Sequence, residues 1–147
     1  MSGMSLAEFQ RHVDEGLAMA HWLGLRAERV EDGRAAVRLP RKTQTVRPGG
    51  TIAGPAMMAL ADCAMYGAVL GHNREAVMAV TSNLTIHFLR APKPADLIGE
   101  AEVLRLGRRL AVIEVVIRAE GEERPVAHVT GTYALPAQAH GGGNAVP

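Results

Sequence analysis

Several chemistries are short of material in this sequence. Only 3% of its 147 residues are aromatic and Trp22 is the lone tryptophan, too few for a surface that stacks nucleic-acid bases. Sixteen Lys and Arg stand against fifteen Asp and Glu, so the basic excess that a phosphate backbone attracts is missing and no nucleic-acid partner is expected. A single cysteine, Cys63, excludes an intrachain disulfide framework and cannot by itself build a zinc site. The six histidines form no HxH or HExxH arrangement, and no metal is expected. The first residues show no basic segment followed by an apolar run, which leads us to expect a reducing, cytoplasmic setting. What is present is ordinary for a globular protein: 48% hydrophobic and 21% charged residues, enough for one core without covalent staples.

Leu6, Phe9 and Val13 share one side of residues 5–15, with Ser5 and Glu8 spaced as a capping box, and so predict a short amphipathic helix. Residues 25–31 and 34–39 flank Asp32-Gly33, the signal of a hairpin turn. The turn-rich stretch QTVRPGGTIAGP leads into AMMALADCAMYGAVLG, which is too long for one strand. Pro55 suits the first helical position with Gly54 as its cap, and Gly71 and Asn73 mark the end. Four strand-like stretches follow at roughly 77–90, 96–106, 110–119 and 125–134. Their connectors, APKPA, LGRR and EGEER, are turn-sized and predict consecutive antiparallel neighbours. The expected architecture is α+β, one domain over residues 1–135 with a sheet around one helix, and a disordered tail over 136–147.

Between Pro48 and Asn73 the one side chain ordinarily charged at neutral pH is Asp62. A run this long could cross a bilayer, but Gly54-Pro55 breaks one end and the aspartate interrupts the middle, so a buried helix with no membrane partner is the better account. Removing a carboxylate from water is costly unless something pairs with it, and Asp is a poor helix former. Asp62 therefore has either a structural task, capping a loop or pairing with an arginine at an interface, or a chemical one as base or nucleophile.

The order RPGGTIAGPAMMALADCAMYGAVL, then AVTSNLTIHFLRAPKPADLIGEAEVLRLGRR, resembles the PaaI-type hotdog-fold acyl-CoA thioesterases over residues 17–135. That family's pattern runs from Asn or Gln through Gly and His-Gly-Gly into a helix with Asp or Glu. A strand with Thr or Ser, Phe-Leu-Arg-Pro and Gly-Arg-Arg follow. The resemblance implies an antiparallel sheet wrapped around one long central helix, a homodimer or homotetramer, no cofactor, and hydrolysis of an acyl-CoA to free acid and CoA. It places the catalytic carboxylate on Asp62 and the N–H that polarises the thioester carbonyl on Gly54. The assisting hydroxyl, in some members supplied by the neighbouring subunit, falls on Thr81. Three positions depart from the pattern: Ala53 replaces the histidine, Pro55 the second glycine, and Arg47 the amide. Arg47 either stands in as a cationic donor or neutralises Asp62. The alternative is a hotdog protein that binds acyl-CoA with impaired turnover.

Arg90, Arg108 and Arg109 fall at strand ends or turns, as solvated charges or as partners for the phosphates of CoA. Met57, Met58 and Met65 flank Asp62 at helical spacing and read as core or as an adaptable acyl pocket, with Met58 a candidate contact. Tyr66, one turn past Asp62, either shortens that pocket or donates a hydrogen bond. Cys63 adjoins Asp62 in sequence but points about 100° away around a helix, and reads as a small buried residue. Along residues 81–88, Thr81, Asn83, Thr85 and His87 alternate with Leu84, Ile86 and Phe88. This turns Thr81 away from its own chain's Asp62 unless a bulge or a second subunit brings it in.

Overall fold

The computed structural model describes residues 2–137. The tail expected over 136–147 lies, past residue 137, outside the described residues. Helix α1 (Leu6–Gly16) opens on the predicted capping box: the Ser5 hydroxyl accepts from the Glu8 N–H, and the Glu8 carboxylate accepts from the Ser5 N–H at 2.8 Å. Phe9 and Val13 are its buried face. A six-residue helix, α2 (Ala18–Leu23), follows; it is too short to display a periodic stripe, so nothing in the sequence signals it. Strands β1 (Arg26–Glu31) and β2 (Arg34–Leu39) form the expected hairpin, turned by Gly33 at φ +73°.

The apolar run is helix α3 (Gly54–His72), buried on nearly every side. Its cap is Ala53 rather than Gly54, so Gly54 is the first helical residue and Pro55 the second. Proline is tolerated there as well, because an N–H of the first turn has no partner within the helix. At its far end α3 packs tightly on β1: a Cβ on Gly71 would lie 2.0 Å from the Glu31 carbonyl oxygen. Among the described residues no helix is long and apolar enough to cross a membrane.

After a short 3₁₀ turn (Ala76–Met78) come β3 (Val80–Phe88), β4 (Leu97–Leu106), β5 (Leu110–Ala119) and β6 (Pro125–Ala134). The six strands form one antiparallel sheet in the order β1-β2-β4-β5-β6-β3, curled around α3 as expected. Ala111, Ile113, Val115 and Ile117 of β5 point at the helix and are fully buried. The expectation of consecutive neighbours holds for β4, β5 and β6 and fails for β3, which pairs with β6 at the sheet's edge. Residues 89–96 recross the sheet to start β4 beside β2. Eight residues reach about 26 Å when extended, against about 15 Å for three strand spacings. Ala91 and Lys93 each precede a proline, which steers them toward extended backbone instead of a tight turn.

Candidate active site

Asp62 lies midway along α3, half-buried where the helix faces the β3–β6 edge. The Thr81 hydroxyl donates to Asp62 Oδ1 at 2.5 Å, within the same chain. Strict alternation would have pointed Thr81 away, but the β3–β6 register shifts between Thr81 and Asn83. The extra residue inverts the side-chain parity and returns Thr81 to the helix-facing side with Leu84 and Ile86.

A second donor was not anticipated. The Tyr133 hydroxyl is 2.9 Å from the same Oδ1 and 3.0 Å from the Asp62 main-chain oxygen. Val129, Gly131 and Tyr133 form the inward set of β6, and a buried tyrosine must find a partner for its hydroxyl. With Asp62 the one formal charge on the apolar helix, that alternation was the available signal. Burial, and then the negative charge of Asp62, hold the Tyr133 phenol well above the usual tyrosine range, so it remains a donor. Oδ2 of Asp62 has no partner among the described residues.

Tyr66 stacks on Tyr133, ring centroids 5.9 Å apart and planes inclined by 17°. Its hydroxyl lies 2.7 Å from the Val77 carbonyl oxygen and 2.9 Å from His12 Nε2. A hydroxyl has one proton; Tyr66 gives it to Val77, and His12 donates through Nε2. Burial pushes the Tyr66 phenol up to about 12, with the Cys63 beside it a second cause. Cys63 itself is buried, and burial followed by the Asp62 charge pushes its thiol up to about 12. At neutral pH that sulfur is a thiol and a poor nucleophile. Met57 and Met65 are core, whereas Met58 is 42% exposed and is the one of the three with surface to offer.

The entry to α3 is pinned by the Ala53 N–H, which donates to Thr45 O at 2.8 Å, and by a bridge between Val46 and Ile52. The Ala56 and Met57 N–H groups both turn back to Ala53 O, at 3.1 and 3.2 Å. Pro55 has no N–H, so the Gly54 N–H is left as the first turn's free donor among the described residues. It carries the positive end of the helix dipole, and the Phe88 ring lies beside it, 3.3 Å from where a Gly54 Cβ would stand. Gly54 and Asp62 are eight positions apart along the helix, about 12 Å of rise. Arg47 is exposed on the loop before the helix. Its backbone pairs with Thr51 and Gly50, and the bonds to Asp62 come from Thr81 and Tyr133.

The other basic candidates are not beside Asp62. Arg90 donates through Nε to Pro125 O at 3.1 Å. Arg108 and Arg109 line a groove of about 1110 Å³ with His72, Met78 and Leu106, at the C-terminal end of α3. Among the described residues no three His, Cys, Asp or Glu side chains are grouped to hold a metal ion.

Comparison with known proteins adds four findings. Residues 49–126 match the model of the thioesterase superfamily. A provisionally named esterase of Saccharolobus solfataricus is 33% identical over 94 residues. That match covers 64% of this chain and 66% of the relative, so the chain spans just under two thirds of that curated protein. The crystal structure of a provisionally named thioesterase from Silicibacter sp. TM1040 superposes with a TM-score of 0.83 at 37% identity, covering 92% of this chain and 94% of that one. A mutant of the phenylacetic acid degradation protein PaaI from Thermus thermophilus gives a TM-score of 0.68 at 28% identity, over 80% of this chain and 98% of that one.

Proposed function

Because the chain belongs to the thioesterase superfamily, with a hotdog fold of the PaaI type, we propose that it hydrolyses an acyl-CoA thioester with Asp62 as general base. The observation that carries this reading is the state of the Asp62 carboxylate: one oxygen is fixed by two hydroxyl donors and the other is free to take a proton. In the proposed step, Oδ2 accepts a proton from water as the water oxygen bonds to the thioester carbon. The carbonyl oxygen becomes an oxyanion held by a Gly54 N–H at a helix terminus. Collapse of the tetrahedral intermediate breaks the carbon–sulfur bond, and the proton held by Asp62 passes to the sulfur, giving acid and thiol. Direct attack by Asp62 through a mixed anhydride is the variant.

A Gly54 and an Asp62 about 12 Å apart along one helix cannot grip the same carbonyl. The proposed site is therefore shared, with Gly54 of one copy facing Asp62 of another in a homodimer or in a tetramer built from such dimers. The free edge of β3 supports this arrangement, since it carries exposed Val80 next to Thr81 and exposed Phe88 at its other end, beside Gly54. Arg108 and Arg109, with Arg90 and Arg47, are the cations proposed to meet the phosphates of CoA, and Met58 is proposed to touch the acyl chain, with the Tyr66 ring closing its pocket.

The reading is tested by incubating the purified protein with a panel of short, long and aromatic acyl-CoA thioesters and measuring released thiol. Turnover of at least one class is expected. Saturable acyl-CoA binding without thiol release would replace hydrolysis by binding, the outcome that Ala53, at the family's histidine position, makes worth measuring.

A further inference from the structure

We propose that Tyr133 is the positioning residue that orients the Asp62 carboxylate and thereby selects Oδ2 as the oxygen that receives the proton; this rests on the reading of Asp62 as base. The terminal torsion of an aspartate is broad and nearly two-fold, so a carboxylate with a single donor swaps its oxygens easily. Here two hydroxyls converge on Oδ1, from Thr81 at 2.5 Å and from Tyr133 at 2.9 Å. Thr81 sits next to a bulge on an exposed edge strand and is the less constrained of the two. Tyr133 is 3% exposed and stands near the C-terminal end of β6, a strand flanked on both sides, where it pairs with Ala111 of β5 and Thr81 of β3. Its ring is backed by the stacked ring of Tyr66, which is itself tied to Val77 and to His12 of α1. The single Tyr133 proton is shared between Oδ1 and the Asp62 carbonyl oxygen, 3.0 Å away, and this forked bond fixes the side chain relative to its own backbone. Two donors on Oδ1 concentrate the negative charge there and leave Oδ2, free of intramolecular bonds, as the proton acceptor.

The test is Tyr133→Phe, which keeps the stacked ring and removes only the hydroxyl, compared with Asp62→Asn in steady-state hydrolysis of the best acyl-CoA. Expected for Tyr133→Phe are a kcat about tenfold lower, a KM within twofold of the parent, an unchanged melting temperature to within a few degrees, and an acid limb of the pH–rate profile moved to higher pH. The shift upward follows because losing a donor disfavours the ionised carboxylate. If Asp62→Asn abolishes turnover while Tyr133→Phe leaves kcat and pH profile in place, the positioning role is overturned and the base survives. If Asp62→Asn retains turnover, the base reading itself fails. Should Tyr133→Phe not fold, 3-fluorotyrosine placed at position 133 asks the same question: its more acidic hydroxyl is a stronger donor and moves the acid limb to lower pH, and an unmoved limb overturns the proposal.

Discussion

At the scale of single residues, charge and burial decide what each side chain can do. Asp62→Asn keeps the shape and still offers a carbonyl oxygen to Thr81 and Tyr133, so the variant is expected to fold. Lacking a base and a nucleophile, it should lose about 10²-fold or more in thioester hydrolysis, read as kcat on a panel-selected substrate. A folded variant with undiminished kcat would falsify the role, and a variant that does not fold would return Asp62 to a structural task. Arg47 is exposed and makes no bond to its own chain's Asp62. We expect Arg47→Gln to lower kcat/KM by about fivefold or less, with the pH–rate profile unmoved. An acid limb moved upward would mean instead that Arg47 favours the ionised Asp62 from across an interface, because removing a cation disfavours the carboxylate. Cys63, with its thiol pushed up to about 12, should resist iodoacetamide in the native state at pH 8 and react once urea unfolds the chain. Mass spectrometry of the quenched reaction reads this directly, and rapid native labelling would contradict the burial. Asp62 could be picked out from sequence because it interrupts an apolar run, a local signal. The alternation of β6 marks Tyr133 as inward-facing, but its pairing with Asp62 was not legible, because the two lie 71 positions apart and only the folded sheet joins them.

At the scale of elements, what was legible followed from local chemistry. The capping box of α1, the hairpin at Gly33 and the spans of β4, β5 and β6 all match the expectations to within a residue or two, because caps, turns and alternation act over a few positions. The place of β3 was not legible: pairing with β6 is decided by the curvature that closes the sheet on α3, not by the length of a connector. The bulge between Thr81 and Asn83 was likewise silent, since an extra residue leaves the composition of a strand unchanged. The contact between α3 and β1 gives a sharp test. A methyl group on Gly71 would meet the main-chain oxygen of Glu31 at 2.0 Å, and no side-chain rotation relieves a clash with backbone. Gly71→Ala should cost about 1–3 kcal/mol, seen as a melting temperature lower by about 2–4 °C for each kcal/mol. An unchanged melting curve would mean that the helix end and β1 separate freely.

At the scale of the whole molecule, the question is how one chain's helix terminus meets a carboxylate two helical turns away. The exposed β3 edge, with Val80 61% and Phe88 50% exposed, is the surface on which a second copy is proposed to supply the missing half. Val80→Lys places a charge on that edge without touching the bonds of Asp62. Sedimentation at micromolar concentration should show the parent as a dimer or larger and the variant as monomer, and the monomer should have lost turnover. A fully active monomer would sink the shared site. The sheet order carries a further consequence for how the chain must be made. β3 leaves a ribosome well before β6, its one strand partner among the described residues, because Val80 pairs with Ala134, 54 positions later. During synthesis Thr81 therefore cannot be seated against Asp62 by the sheet until β6 has emerged, and a chain halted after Ala119 holds the aspartate and the threonine but neither the tyrosine nor the strand that brings them together. The site closes last, at the same moment as the edge that a second copy would use, so an unfinished chain exposes its stickiest strand while it is still inert.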